Sequence, residues 1–348
     1  MLLEGLHLPL TTPFYADGRL NLRKLEDNVA AYSKTPASAI AVLSRYGEPT
    51  LLSDDETRQA LRGAMAAAAA EKVMLAGVSR DSVRETLAAA EQAAALAYDA
   101  VLVAPTSFLE GAVAARQAKE LLTYFQTVAD RVALPLVLDA SAAALPVEVA
   151  IELAAHPRIL GLIDGGLTPE RVAQLKQGTA AVKREVTVTP VFAAVTRRMQ
   201  AAEENPAMLS VKTLVGGGTS LNVLPTASGM KTRTKVVGFQ VLAGRTRTML
   251  DALLAGATGA MPAFAACAPQ AAYEVIAAWK DGDRPLAEEK QERLLAAASF
   301  LEEEGGAAAI KFGCDLNGYF GGLPRLPLLP PSGEDRARIE LLLQGLRH

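Results

Sequence analysis

"HPRILGLIDGG", residues 156–166, decides the fold of this chain. Arg158–Ile163 is a short and almost wholly apolar run, and Asp164, Gly165 and Gly166 close it as a turn. Helical patterns flank it at 146–155 and at "TPERVAQLKQ" (168–177). A continuous apolar strand between two helices belongs to a parallel sheet covered on both faces. Its last inward-looking side chain is Ile163, which carries no acid–base or nucleophilic chemistry.

The same unit recurs outward from this stretch. Strands are expected at 5–12, 39–44, 72–78, 99–104, 134–139, 158–163, 236–243 and 258–262, with helices at 54–70, 81–97, 112–130 and 146–155. Ser53 and Glu56 have the spacing of a capping box. Eight such units predict a closed (β/α)₈ TIM barrel over residues 1–265. An open doubly wound sheet is the alternative, but no glycine-rich phosphate turn follows the first strand. Residues 266–348 are expected to form a C-terminal helical extension, with helices near 268–280, 286–304 and 334–345.

The segment 183–235 exceeds a minimal barrel and reads as an insertion between strands six and seven. It holds "VGGGTSLNVLPTASG" (215–229) and the basic residues Lys183, Arg184, Arg197, Arg198, Lys212, Lys231, Arg233 and Lys235. Its glycine run lacks the Gly-Lys-Ser/Thr ending of a P-loop, and aromatic residues for base stacking are scarce. A solvated insertion outside the barrel core is expected.

The 348 residues are 50% apolar, 21% charged and 5% aromatic, with a formal net charge of −3. That balance gives no whole-surface attraction to nucleic acid or to an anionic membrane. No apolar run reaches the length of a membrane span. "MLLEGLHLPLTTPF" lacks the ordered regions of a signal peptide. Cys267 and Cys314 sit in mostly apolar surroundings, so a reduced, cytoplasmic protein is expected. His7, His156 and His348 show no metal-ligand spacing. Neither a metal nor a cofactor is expected.

In such a barrel the site lies at the C-terminal ends of the strands. Those ends read "TTPF" (11–14), "SRYGE" (44–48), "AGVSR" (76–80), "APTSF" (104–108), "LDAS" (138–141), "LIDGG" (162–166), "AGRT" (243–246) and "MPAF" (261–264). In this order, with "LPLTTPFYADGRL", "SRYGEPTLLSDDE", "LLAGATGAMPAFAACAP" and "GGLPRLPLLPPSGED", they resemble the dihydrodipicolinate synthase / N-acetylneuraminate lyase family. The resemblance covers roughly 1–178 and 236–348.

The resemblance implies class I aldolase chemistry. A strand-six lysine forms an imine with a 2-oxo acid, a strand-five tyrosine moves protons, and a Gly-Thr-Thr-Gly-Glu loop holds the substrate carboxylate. Carried over by position, the lysine is Ile163, the tyrosine is Asp139, and the two threonines are Arg45 and Tyr46. Gly47 and Glu48 match. Thr106 and Ser107 stand where tyrosines are common, and the arginine often found after strand five is absent from "SAAALP". An alkyl side chain cannot form an imine.

Asp139 and Tyr46 are therefore the candidate catalytic residues, Asp139 as a general base. Ser44, Arg45, Gly47, Glu48, Ile163, Gly244 and Arg245 are candidate ligand-binding residues, with Arg45 as a bidentate clamp for a small carboxylate. Asp164 points away from residue 163 by strand alternation and reads as structural. Three functions follow: a divergent lyase working on a small oxo acid without the imine, a non-catalytic binding or regulatory barrel, and, with no compact ligand set visible, a metal-assisted aldolase through Asp139 or Glu48. A homo-oligomer is implied by resemblance.

Overall fold

A computed structural model describes residues 1–109, 115–204 and 231–346. In chain order the strands are β1 (Gly5–Pro9), β2 (Ala39–Val42), β3 (Val73–Gly77), β4 (Ala100–Val103), β5 (Leu136–Ala140), β6 (Ile159–Asp164), β7 (Arg184–Val188), β8 (Arg233–Val237), β9 (Gln240–Ala243) and β10 (Gly259–Ala260). Eight of them close a barrel in the order β1-β10-β9-β6-β5-β4-β3-β2. Every neighbouring pair of that barrel is parallel, as between β5 and β6 or β6 and β9.

The helices α1 (Leu22–Ser33), α2 (Asp54–Ala67), α3 (Val83–Ala95), α4 (Ala115–Arg131), α5 (Val147–Ala154), α6 (Pro169–Gly178), α7 (Arg197–Glu204) and α8 (Met249–Leu254) follow successive strands. The C-terminal extension is α9 (Pro269–Lys280), α10 (Arg284–Ser299), α11 (Gly306–Leu316) and α12 (Gly333–Leu342), with one π-helical turn over Phe300–Glu304. Ser53 and Glu56 do form the capping box of α2.

Alternation along the strands makes two apolar layers. Leu6, Leu8, Ile40, Val42, Leu138 and Leu162 pack outward in one large cluster with helix residues such as Leu25, Leu61 and Val149. Ala39, Ala41, Leu75, Leu102, Val137, Ile163, Leu242 and Met261 belong to a second cluster, which fills the barrel. The interior is thus a packed core, closed to transit.

Two expected elements need correction. The strand read over 236–243 is two elements, because Val236 and Val237 belong to β8 while β9 starts at Gln240. The β8 segment pairs antiparallel with β7, from Arg184 opposite Val237 to Val188 opposite Arg233. The basic residues of the insertion are also not simply solvated. Arg198 donates to the carbonyls of Ala68 (2.7 Å), Ala69 (2.7 Å) and Lys72 (2.8 Å), so it covers open carbonyls at the end of α2. Arg197 N–H donates to Asp99 Oδ1 (2.6 Å), and Arg184 donates to the carbonyls of Ala154 (2.7 Å) and His156 (2.9 Å). Those partners precede β3, β4 and β6, so these arginines seal the N-terminal end of the barrel. Leu2, Val186, Val188 and Val237 form a small apolar cluster of their own there. "VGGGTSLNVLPTASG", Lys212 and His348 lie outside the described residues.

Candidate functional site

The register across β5, β6 and β9 fixes the mouth of the barrel. Asp139 pairs with Ile163, and Ile163 pairs with Leu242. Ile163 and Leu242 both belong to the inner cluster, so Asp139 faces the barrel axis beside them. Ile163 is fully buried. Asp164, one residue on, turns outward: it holds Arg171 Nε at 2.6 Å and accepts from Gly166 N (2.8 Å). It is a structural ion pair, as alternation predicts.

Asp139 is 6% exposed and accepts from Ser141 N at 3.1 Å. Burial pushes its carboxyl above the usual range, and the Ser141 hydrogen bonds and the Arg45 charge pull it back.

The "SRYGE" loop is a tight turn after β2. Leu43 and Glu48 both have left-handed backbone, at φ 58° and 54°. The Leu43 carbonyl lies against the space where a side chain at Gly77 would begin, so residue 77 has to be glycine. Thr12 Oγ1 donates to the Gly47 carbonyl (2.6 Å) and ties the loop to the end of β1.

Glu48 turns away from the mouth. It pairs with Lys311 of α11, both side chains almost fully buried, and its second oxygen accepts from Arg325 N (2.9 Å). Lys311 Nζ also donates to the Leu323 carbonyl (3.0 Å) and sits 4.5 Å above the Phe14 ring. Arg325 donates to Leu51 O (2.6 Å) and to Glu56, whose carboxyl it holds down at about 2. Glu48 therefore braces the loop; with its oxygens engaged by Lys311 and Arg325, it is a poor candidate for ligand or metal. Helix α11 was not expected from sequence, and with it Lys311 was missed.

Tyr46 collects the electrostatics of the mouth. Burial raises its phenol to about 12; Glu302 and Asp139 push the same way, while Arg45 and Arg245 oppose. Glu302, also missed, stands on the π-helical turn. It accepts from Thr246 Oγ1 (2.9 Å), Thr246 N (3.1 Å) and Phe264 N (2.9 Å), joining the loops after β9 and β10. Burial raises its carboxyl too. Arg245 lies 3.8 Å from Glu303. Gly244 donates to Asp164 O (2.8 Å), and a Cβ there would come within 3.0 Å of that carbonyl, so its part is close packing.

Three hydroxyls of buried residues at the strand ends have no hydrogen-bond partner among the described residues, and Thr11 Oγ1, after β1, is one of them. The others are Ser44 Oγ and Thr106 Oγ1, on residues each 3% exposed. They follow β2 and β4. Among the described residues no group of three His, Cys, Asp or Glu side chains could hold a metal ion, and no helix is long and apolar enough to cross a membrane.

The profile of the dihydrodipicolinate synthetase family matches residues 2–183 and 195–346. The chain belongs to that family. The match to the dihydrodipicolinate synthetase profile breaks over 184–194, which is β7 and the turn after it. The 4-hydroxy-tetrahydrodipicolinate synthase of Acidiphilium cryptum is 24% identical over 347 residues, covering 99% of this chain and 98% of that one. The dihydrodipicolinate synthase DapA-2 of Bacillus anthracis has the same fold, with a TM-score of 0.77 at 17% identity over 100% of both chains. YagE, a prophage protein of the dihydrodipicolinic acid synthase family from E. coli K12, was solved in complex with pyruvate; its TM-score is 0.74 at 21% identity over 99% of both chains.

Proposed function

We propose that this family member binds a small carboxylate at the barrel mouth and forms no imine with it, acting as a non-catalytic binding or regulatory barrel. One observation carries the reading: the strand-six position that the resemblance gives to the nucleophile is Ile163, sealed in the inner cluster between Asp139 and Leu242. Lys311, which braces the loop after β2, has its ammonium held by Glu48 and the Leu323 carbonyl. Arg45 and Arg245 supply the positive field that a carboxylate needs, and the pyruvate in the E. coli relative supports a ligand of that kind. A homo-oligomer is part of this reading.

A second reading keeps catalysis without the imine. Its support is the raised carboxyl of Asp139, which suits a general base, close enough to Tyr46 to act on its charge. One experiment separates the two. The protein is incubated with pyruvate and borohydride, screened by thermal shift against 2-oxo, hydroxy and sugar acids, and assayed for cleavage of any acid that binds. The expected result is no stoichiometric lysine adduct, at least one stabilising acid whose effect is lost in Arg45→Ala, and no turnover. Turnover that falls in Asp139→Asn establishes the second reading. A specific adduct on a mouth lysine overturns both.

A further inference from the structure

We infer that the ligand of this mouth brings its own ammonium group: the site takes an α-amino acid in preference to the matching 2-oxo acid. The inference rests on the carboxylate-binding reading above and deepens it.

The polarity of the mouth is divided by sector. Going round the barrel from β5, β9 lies two strands away on one side and β2 three strands away on the other. The loops after β9 and β2 carry Arg245 and Arg45, and β5 carries Asp139. Asp139 and Arg45 therefore stand on separate parts of one rim, as the two ends of a zwitterion require, while Arg245 has Glu303 3.8 Å away.

Asp139 is the group that discriminates. Its neighbour in register on β6 is the aliphatic Ile163, which offers it no donor. Ser141 supplies the hydrogen bonds it accepts, and the Arg45 charge reaches it. An ionised carboxylate has about four acceptor positions, so capacity remains toward the mouth. The keto oxygen of a 2-oxo acid is itself an acceptor and meets this carboxylate as a repulsion. An ammonium in the same place presents three donors and a charge-assisted contact.

Thr106 and Ser44, two of the three unpartnered hydroxyls of buried residues at the strand ends, fit this division. Thr106 follows β4, the strand next to β5, on the side where the ammonium binds. Ser44 is next in sequence to Arg45, on the side where the carboxylate binds. A buried hydroxyl with no partner costs free energy, and a ligand that pairs it removes that cost.

The test uses isosteric pairs on the full-length protein. Pyruvate is compared with L-alanine, and 2-oxoglutarate with L-glutamate, by calorimetric titration at pH 7.5. In at least one pair the amino acid is expected to bind about tenfold tighter or better, the size of one good charge-assisted hydrogen bond. Asp139→Asn, which keeps an acceptor for Ser141 N–H, is expected to abolish that preference while the oxo acid changes less than about threefold. The wild-type comparison stands even if the variant misfolds. Equal or tighter binding of the oxo acids overturns this inference and leaves the carboxylate reading in place. Binding of neither member, in these pairs and in the wider acid screen, overturns both.

Discussion

The two ends of the barrel each bury an aspartate, and they treat it differently. Asp99 at the floor is 3% exposed; Asp139 at the mouth is 6% exposed; burial pushes both carboxyls up. Asp99 spends both oxygens inside the fold, Oδ2 on Met74 N (2.8 Å) and Oδ1 on Arg197 N (2.6 Å), with the charges of Arg198 and Arg197 beside it. Asp139 accepts from Ser141 and keeps acceptor capacity. At the floor Arg198 closes three carbonyls although its Nε stays unpaired; at the mouth the hydroxyls of Ser44 and Thr106 are unpaired. A buried carboxylate with both oxygens engaged is structure, whereas one with capacity left over has room for another donor.

The largest expected effect comes from the brace that holds the mouth loop. Lys311→Met strands Glu48 as a buried carboxylate without its cation. Breaking a buried pair in this way costs about 3–5 kcal/mol. Denaturant unfolding should show a loss of that size, and Lys311→Met with Glu48→Gln together should recover part of it. A loss under 1 kcal/mol would mean that the loop holds its shape without the brace, and the mouth would then be as adaptable as an ordinary surface loop.

The floor should come next. Asp99→Asn keeps one acceptor where two backbone N–H groups, of Met74 and Arg197, both need one. The amide then points a donor at a donor, which costs about 1–3 kcal/mol. Chemical denaturation measures it directly. An unchanged midpoint would break the contrast between the two ends.

The barrel was legible because its strands are continuous apolar runs and its helices carry caps, as at Ser53. The direction of Asp164 was also legible, since alternation alone decides it. The register of Asp139 against Ile163 puts residue 139 at the C-terminal end of β5, where the strand pattern expects it. Other parts depend on contacts that no local pattern carries. Helix α11 starts from Gly305 with no side-chain cap, so its start has no signal. Lys311 and Glu48 meet across 263 residues, and Glu302 and Thr246 across 56. The β7–β8 ribbon pairs two short strands far apart in sequence, from Arg184 with Val237 to Val188 with Arg233, and no local pattern announces such a pairing.

The smallest expected effect falls at the mouth, and its sign distinguishes the two aspartates. Folding raises the Asp139 carboxyl above its unfolded value, and burial is the main cause. Below the unfolded value the group is protonated in both states and adds nothing. As pH rises through the folded value, the native state ionises a carboxyl that the unfolded chain ionises more easily, and stability is lost. Asp139→Asn removes that cost and keeps an acceptor for Ser141 N–H. The variant should therefore match the wild type near pH 4 and gain up to about 1 kcal/mol at pH 7, a change within the small range of sites that hold no structure together. Unfolding midpoints of both proteins across that range measure it. A loss above 1 kcal/mol at pH 7 would make Asp139 a structural carboxylate like Asp99, and the mouth would then be a second sealed end.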